Sequence, residues 1–205
     1  MGKKLIIIGA SGHGKVVANI AKLSGYEKVE FLDDSDTRIS CGNYNVVGKV
    51  EDFKKYKDCD FIVGIGTAAI REKIQNLIIN DGCKVVTLIH PKAVVADDTE
   101  LGVGIVVMAG AVINSGSSIG NGAIINTCSS VDHDCTVEDF VHVSVGTHVA
   151  GTVHIAKKTW IGAGATVSNN ININVTCMIG AGAVVVSNIE QEGTYVGVPA
   201  KLILK

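Results

Sequence analysis

A histidine stands between two carboxylates in the segment Asp132-His133-Asp134. Imidazole titrates near neutral pH, and a neighbouring carboxylate fixes its tautomer and stabilises the imidazolium, so this triplet has the ingredients of a general base. Asn126, seven residues earlier, is able to orient the imidazole or a polar group of a substrate. The same residues also fit solvated turns, where aspartate and asparagine are common. The triplet alone leaves a catalytic and a purely structural interpretation open.

Three further histidines, His142, His148 and His154, follow at intervals of six residues. Imidazole is a common zinc ligand, and three imidazoles at a trimer interface can form a zinc hydratase site. In the repeat region described below, no histidine precedes His133, which disfavours this alternative. We therefore expect no metal.

A second candidate site lies near the start of the chain, where the apolar segment 3–9 runs into the glycine-rich turn 10–14. A turn of this kind, followed by a helix, presents backbone N–H groups to a phosphate. The spacing of the glycines is not the strict dinucleotide fingerprint, and the predicted sheet is too small for a second mononucleotide half. A single nucleotide with a sugar attached fits better than a nicotinamide cofactor. The alternative is that the glycines serve only a tight turn between strand and helix.

The first ninety residues predict a small Rossmann-like parallel sheet of α/β class. Asp33-Asp34 and the segment Gly64–Thr67 follow strands of this sheet, so they are expected at the same edge as the glycine-rich turn. His90-Pro91 marks the end of the domain, which we assign to residues 1–90. The predicted strands are 3–9, 28–32, 60–65 and 84–88, and the predicted helices are 15–23 and 68–80.

From Val95 to Val185 every sixth residue is Val, Ile or Leu. A period of six fits neither a helix face nor simple alternation, but it fits a left-handed parallel β-helix built of hexapeptide repeats, in which three hexads form one triangular coil. The aliphatic residue and the fourth residue after it point inward, so His133 points outward. His142, His148 and His154 are expected on successive faces. We assign this domain, with a short C-terminal tail, to residues 91–205.

Composition limits the partners. The formal net charge is −2 without a basic run, which argues against nucleic acid and anionic membranes. Aromatic residues make up only 4% and there are 24 glycines, a balance typical of a β-helix. The six cysteines show no C-x-x-C pair, so we expect reduced thiols in a cytoplasmic chain.

Beyond these patterns, the chain resembles the bacterial sugar acetyltransferases related to the sialic acid O-acetyltransferases, and within them the UDP-N-acetylbacillosamine N-acetyltransferases. The resemblance spans nearly the whole sequence and is carried by the strings GASGHG, FLDD, HVSVG and GVPA. It implies a homotrimer with active sites between adjacent solenoids and acetyl-CoA as co-substrate.

The resemblance also implies roles for individual residues. His133 matches the general base, and Asp134 matches the acidic neighbour that raises its basicity, where the bacillosamine enzymes usually have glutamate. Asn126 and His142 match other active-site positions, His142 near the acetyl-CoA thioester. Positions that match the lining of the acetyl-CoA groove are Gly151, Gly162, Ala163, Gly180 and Gly182. Positions that match the nucleotide site are Ser11, Gly12 and His13 for the phosphates, Asp33 and Asp34 for the uridine or ribose, and Gly66 for a backbone contact.

The expected activity is transfer of acetyl from acetyl-CoA to the 4-amino group of a UDP-4-amino-4,6-dideoxy sugar of the bacillosamine type. The thioester is already activated, so the amine can attack directly while His133 removes the proton. The alternatives are O-acetylation of sialic acid, N-acetylation of GDP-perosamine, and a non-enzymatic scaffold or nucleotide sensor.

Overall fold

The computed structural model describes residues 3–203, which form two units. The first unit ends at Pro91 and the second begins at Lys92. Within the described residues, no helix has the length and apolar character needed to cross a membrane.

The first unit is built around a parallel sheet. Its elements are β1 (Lys4–Ile8), α1 (Gly12–Leu23), β2 (Lys28–Leu32), β3 (Ser40–Cys41), β4 (Tyr44–Asn45), a 3-10 helix (Val50–Tyr56), β5 (Asp60–Val63), α2 (Ala68–Asn80), β6 (Lys84–Val85) and β7 (Leu88–Ile89). Four of the strands pair in the order β2-β1-β5-β6, all parallel. On one side of this sheet, Ile6, Ile8 and Phe61 pack with Phe53 of the 3-10 helix and Ile78 of α2.

The predicted elements of the first unit agree with the structure except at some boundaries. Helix α2 has the predicted bounds, but α1 begins at Gly12, three residues before the predicted start, because Ser11 caps the helix with its hydroxyl facing the Gly14 N–H at 3.5 Å. The predicted strand 84–88 is divided into β6 and β7. The β3–β4 hairpin and the 3-10 helix were not predicted, since two-residue strands and a seven-residue helix are too brief to show a period.

The second unit is a parallel β-helix with three faces. The first face carries β8, β11, β14, β17, β20 and β23, the second β9, β12, β15, β18 and β21, and the third β10, β13, β16, β19 and β22. These strands are Val94–Val95, Glu100–Leu101, Val106–Val107, Val112–Ile113, Ser118–Ile119, Ile124–Ile125, Ser130–Val131, Thr136–Val137, His142–Val143, His148–Val149, His154–Ile155, Trp160–Ile161, Thr166–Val167, Asn172–Ile173, Met178–Ile179 and Val184–Val185. Two further strands, β24 (Thr194–Val196) and β25 (Lys201–Leu202), follow. The predicted fold class is confirmed.

Residues one coil apart are stacked in columns. Ile124 pairs with His142 and His142 pairs with Trp160, so each coil takes 18 residues. From Val107 onward all the sixth-residue aliphatics are buried, and so are the small residues four positions later, such as Cys135 and Thr147. The inward columns form one continuous core along the solenoid. His142, His148 and His154 lie on the third, first and second faces respectively, as the hexad pattern predicts.

Most corners of the solenoid contain one residue in the left-handed region. From position 104 to 182 every sixth residue has φ between 54° and 73°. Seven of these fourteen residues are not glycine, and they include Asp134, Thr152 and Asn170. The left-handed region is unfavourable for most L-residues but tolerated by asparagine and aspartate. The corners therefore accept side chains at seven positions and carry glycine at the other seven, where the left-handed φ itself favours glycine.

Candidate active site

The candidate general base lies at the corner between the first and second faces. His133 follows β14, and its side chain is 59% exposed. The backbone there is held from both neighbouring coils, because the Asp134 N–H donates to Ser115 O and the Thr152 N–H donates to His133 O. The corner presents the imidazole to solvent on a rigid support.

The two aspartates beside His133 have different tasks. Asp134 Oδ2 lies 2.8 Å from His133 Nδ1, whereas Asp132 Oδ1 accepts the His133 N–H and the Asn114 Nδ2–H, both at 2.8 Å. The hydrogen bond to Asp134 and the charges of both aspartates raise the pKa of His133 and together outweigh the opposing effect of desolvation. The bonds from Asn114 and the His133 N–H lower the pKa of Asp132. Asp134 thus faces the ring, and Asp132 holds the backbone.

Asn126 and His142 form a separate cluster. Asn126 Nδ2 lies 3.1 Å from His142 Nε2, and the His142 ring lies 4.5 Å from the Trp160 ring. Trp160 Nε1 in turn donates to Ser144 Oγ at 2.7 Å. His142 is buried and belongs to the third face, while Asn126 lies at the corner between the third and first faces.

From the sequence, Asn126 was a candidate to orient the His133 imidazole. Within one chain it does not do so. The side chain of Asn126 contacts His142 and the Thr127 N–H. It follows a strand of the third face, whereas His133 follows a strand of the first face, so the two residues lie at different corners of the coil. Asn114, which the sequence did not single out, supports the His133 corner through Asp132.

The glycines expected along an acetyl-CoA groove differ in what surrounds them. A Cβ at Gly162 would lie 2.5 Å from Ile179 O, and one at Gly180 would lie 2.7 Å from Val196 Cγ1. Contacts within the solenoid therefore suffice to require glycine at these two positions. Gly182 has open space around it, and Ala163 is exposed. A Cβ at Gly151 would meet the His133 ring.

In the first unit, the turn after β1 leads directly into α1. Gly12 is the first residue of α1, and a Cβ there would meet nothing within 4 Å. Gly14 has no such freedom, because a Cβ would collide with Gly9 O. The helix N-terminus at Ser11 and Gly12 is thus open, and its N–H groups are suited to a phosphate.

A buried arginine lies behind this turn. Arg71 of α2 is 1% exposed, and its Nη1 donates to Ile65 O at 2.9 Å and to Gly66 O at 2.6 Å. Burial lowers the pKa of Arg71 to about 10, so it stays charged at neutral pH. Burial and the charge of Arg71 lower the pKa of His13 to about 4, so His13 is neutral there. Arg71 holds the loop that contains Gly66. A helical arginine gives no sequence signal of such burial.

Asp33 and Asp34 are held by different partners. Asp33 Oδ2 accepts the Ala10 N–H at 2.7 Å, and Oδ1 accepts the Ser35 N–H at 3.0 Å. Burial would raise the pKa of Asp33, but these bonds and Arg38 outweigh it and lower the pKa. Asp34 Oδ1 accepts the Val50 N–H. Asp33 therefore ties the end of β2 to the turn after β1, a task that the sequence did not reveal.

Asp34 also lines an open cleft of about 660 Å³, a size that suits a nucleotide. The other lining residues are Lys49, Val50, Glu51, Ile70, Lys73, Ile74 and Leu77. Four of these recur along α2 at helical spacing, so one stripe of that helix faces the cleft.

In the described residues no group of three or more His, Cys, Asp or Glu side chains is placed to hold a metal.

Residues 4–78 match the model of the PglD N-terminal domain. The acetyltransferase domain of PglB from Neisseria gonorrhoeae, also solved with acetyl coenzyme A, is 38% identical with a TM-score of 0.95, and the alignment covers 98% of this chain and 100% of that chain. PerB from Caulobacter crescentus, solved with CoA and GDP-perosamine, is 33% identical with a TM-score of 0.93 and coverage of 98% and 97%.

Among curated proteins, UDP-N-acetylbacillosamine N-acetyltransferase from Bacillus subtilis is 31% identical over 112 residues, which are 52% of this chain and 52% of that protein. The chain spans about half the length of the curated relatives it matches.

Proposed function

The chain belongs to the family of acetyltransferases that includes the PglB acetyltransferase domain and PerB, and from this premise we propose that it acetylates a nucleotide-linked amino sugar with acetyl-CoA. The observation that carries the proposal is the exposed His133, with Asp134 at 2.8 Å from its Nδ1. The acceptor group is the 4-amino group of a 4-amino-4,6-dideoxy sugar.

His133 acts as the general base in this proposal. Because Asp134 engages Nδ1, the free nitrogen is Nε2, and this atom takes the proton as the amine attacks the thioester carbonyl. The new C–N bond forms, the C–S bond breaks, and CoA leaves as the thiol or thiolate. No acyl-enzyme is required. A pKa raised by Asp134 makes His133 a stronger base while leaving a smaller neutral fraction at a given pH.

We place acetyl-CoA along the groove lined by Gly151, Gly162, Ala163, Gly180 and Gly182, with His142 near the thioester. In one chain, His142 lies on the third face and Asn126 at the corner that follows this face, both away from the corner of His133. This separation supports a homotrimer in which neighbouring solenoids jointly complete each site.

The nucleotide is assigned to the first unit. The open N-terminus of α1 at Ser11 and Gly12, with the neutral His13 beside it, would receive the phosphates. Asp33 would hold the turn in place, Asp34 and its cleft would receive the nucleoside, and Gly66 would present its backbone from the loop held by Arg71. We place the reaction in the cytoplasm, where acetyl-CoA and nucleotide sugars occur together.

Two acceptors follow from the relatives. A UDP-4-amino-4,6-dideoxy sugar of the bacillosamine type is our first assignment, and GDP-perosamine is the second, favoured by the likeness to PerB over nearly the whole chain. The relatives reported above are named for nucleotide sugars or for acetyl transfer, and none of these names points to sialic acid or to a scaffold.

The experiment is acetyl-CoA-dependent thiol release by the full chain with UDP-4-amino-4,6-dideoxy-N-acetylglucosamine, GDP-perosamine or free sialic acid as acceptor, and with His133→Ala as control. Release with one nucleotide sugar, lost in the variant, supports the proposal and selects the nucleotide. Release with sialic acid alone would overturn it. Silence with all three acceptors, in a protein that binds acetyl-CoA, would remove both acceptor assignments.

A thermal-shift series tests the nucleotide site separately. A ligand at 100 times its dissociation constant stabilises a protein by about 2.7 kcal/mol, so UDP and GDP can be distinguished. Asp33→Ala should abolish the shift by the preferred nucleotide, because the turn after β1 loses its carboxylate, and should leave the shift by acetyl-CoA intact. Survival of both shifts would place the nucleotide elsewhere.

A further inference from the structure

The His133–Asp134 pair lies between two glycines, one on each neighbouring coil. Gly116 is one coil before Asp134, and Gly151 is one coil after His133. Resting on the proposed function, we infer that Gly116 and Gly151 are positioning residues whose missing side chains leave the space that the carboxylate and the imidazole occupy.

Gly116 makes room for the carboxylate. A Cβ at this position would lie 2.5 Å from Asp134 Oδ1 and 3.5 Å from Asp134 Cγ. The other oxygen of the same carboxylate bonds His133 Nδ1, so a carboxylate displaced from Gly116 cannot keep that bond unchanged.

Gly151 makes room for the imidazole. A Cβ there would lie 2.5 Å from Nε2, 2.6 Å from Cε1 and 3.1 Å from Cδ2 of His133. Nε2 is the nitrogen that Asp134 leaves free, so a side chain at Gly151 would stand where the proton of an acceptor must arrive. Glycine keeps this atom accessible.

Backbone conformation does not explain Gly151, and it does not by itself require glycine at position 116. Gly151 has no left-handed φ, so any residue fits its backbone. Gly116 has φ of 72°, but Asp134, Thr152 and Asn170 occupy the same column with φ between 56° and 59° and carry side chains. Contact with the His133–Asp134 pair is therefore the local reason for Gly151, and at Gly116 this contact adds to the preference of a left-handed φ for glycine.

The displaced atoms belong to exposed side chains, since His133 and Asp134 have side-chain exposures of 59% and 66%. These side chains can move outward without opening the core. Substitution is thus expected to change the geometry of the pair more than the stability of the solenoid.

The first test compares Gly116→Ala with Gly164→Ala. Gly164 has a similar φ of 65° but nothing within 4 Å of its Cβ position, so it matches the backbone cost without touching the pair. NMR titration measures the pKa of the His133 ring. The ring signals are assigned by their absence from the spectrum of His133→Ala. The facing ionisable groups are Asp132 and Asp134. In Gly116→Ala the pKa of His133 should fall toward the ordinary histidine value, and kcat should fall about tenfold. In Gly164→Ala the pKa should not change.

A double-mutant cycle shows whether Gly116 acts through Asp134. In an Asp134→Ala background, Gly116→Ala should have no further effect on the pKa of His133, because the carboxylate that it displaces is gone. An unchanged pKa in the single variant, or an equal shift with and without Asp134, would overturn the role of Gly116.

For Gly151→Ala, turnover and acetyl-CoA binding are measured separately. We expect kcat to fall at least about tenfold, and by a larger factor than the affinity for acetyl-CoA, whose groove Gly151 also lines. A loss of affinity as large as the loss of turnover would assign Gly151 to the acetyl-CoA groove alone and contradict positioning. If the wild type acetylates none of the acceptors, the proposed function fails, while the NMR cycle still decides the role of Gly116.

Discussion

In the described part of the solenoid, one exposed and one half-buried histidine–carboxylate pair differ in which ring nitrogen contacts the acid. His133 meets Asp134 through Nδ1, and His154 meets Glu138 through Nε2, both at 2.8 Å. The first pair joins consecutive residues at a corner, while the second joins neighbouring coils across the second face. The surroundings also differ, since His133 lies against Gly151 whereas the residue paired with His154 on the next coil is Asn172.

Proximity to an acid therefore does not by itself identify a base. Glu138 contacts Nε2 of His154, the ring nitrogen that corresponds to the free Nε2 of His133. The other carboxylate oxygen of Glu138 accepts the Lys157 N–H. Burial would raise the pKa of Glu138, but these bonds outweigh it and lower the pKa. The second pair therefore ties two coils together, and the first leaves Nε2 available to a substrate.

The largest effect is expected from removing the two histidines in turn. His133→Ala should lower kcat by a factor of about 100 or more, because the base is lost, while His154→Ala should stay within about twofold. Both are measured by thiol release at saturating acetyl-CoA, with circular dichroism as the folding control. Equal losses of kcat in the two variants would show that the two histidines do not differ in their contribution to activity.

Neutralising the acid of each pair should change the pH dependence of activity for the first pair and not for the second. Asp134 raises the pKa of His133, and only the neutral imidazole accepts a proton, so activity rises as pH passes upward through that pKa. Asp134→Asn should move the acidic limb of kcat/KM to lower pH and reduce kcat about tenfold. Glu138→Gln should leave the limb in place. A limb unmoved by Asp134→Asn would mean that Asp134 does not set the basicity of His133.

A smaller effect is expected when Asp134 is lengthened. Asp134→Glu keeps the charge, and we expect kcat within about threefold of the wild type because the carboxylate can still reach Nδ1. The measurement is the same pH profile, beside Asp134→Asn. A loss of kcat as large as that in Asp134→Asn would show that the length of the acidic side chain, rather than its charge, limits activity.

The smallest effect is on stability. Glu138→Gln should lower the free energy of unfolding by less than about 1 kcal/mol, since ion pairs open to solvent contribute little. Denaturant titration of the wild type and the variant measures it. A loss of several kcal/mol would show that the His154–Glu138 pair is structurally essential, contrary to this expectation.

Much of this architecture could be predicted because a solenoid turns sequence spacing into contact. The period of six placed the core, and the 18-residue coil implies that His133 meets Gly151 and that Asp134 meets Gly116. Helix α2 was also predictable, from a long amphipathic stretch that ends before a glycine.

The rest depended on contacts that no local pattern encodes. The bond between Asp33 and the Ala10 N–H joins segments 23 residues apart, and the burial of Arg71 depends on how α2 packs. The resemblance assigned Asn126 to an active site, but its contact with His142 was not predicted. The two residues are 16 positions apart, which is nearly one coil. Polar partners are chosen by side-chain direction, which spacing alone does not give.

The stacking of one coil on the next restricts how such a chain can change in length. Because each strand pairs with the strand 18 residues later, an insertion of any other size must bulge out at a corner or shift every later residue from its column. A whole coil added after the last one would lengthen the solenoid and leave His133 untouched. A whole coil deleted anywhere between Gly116 and Gly151 would preserve the core but would remove His133 and Asp134 with it.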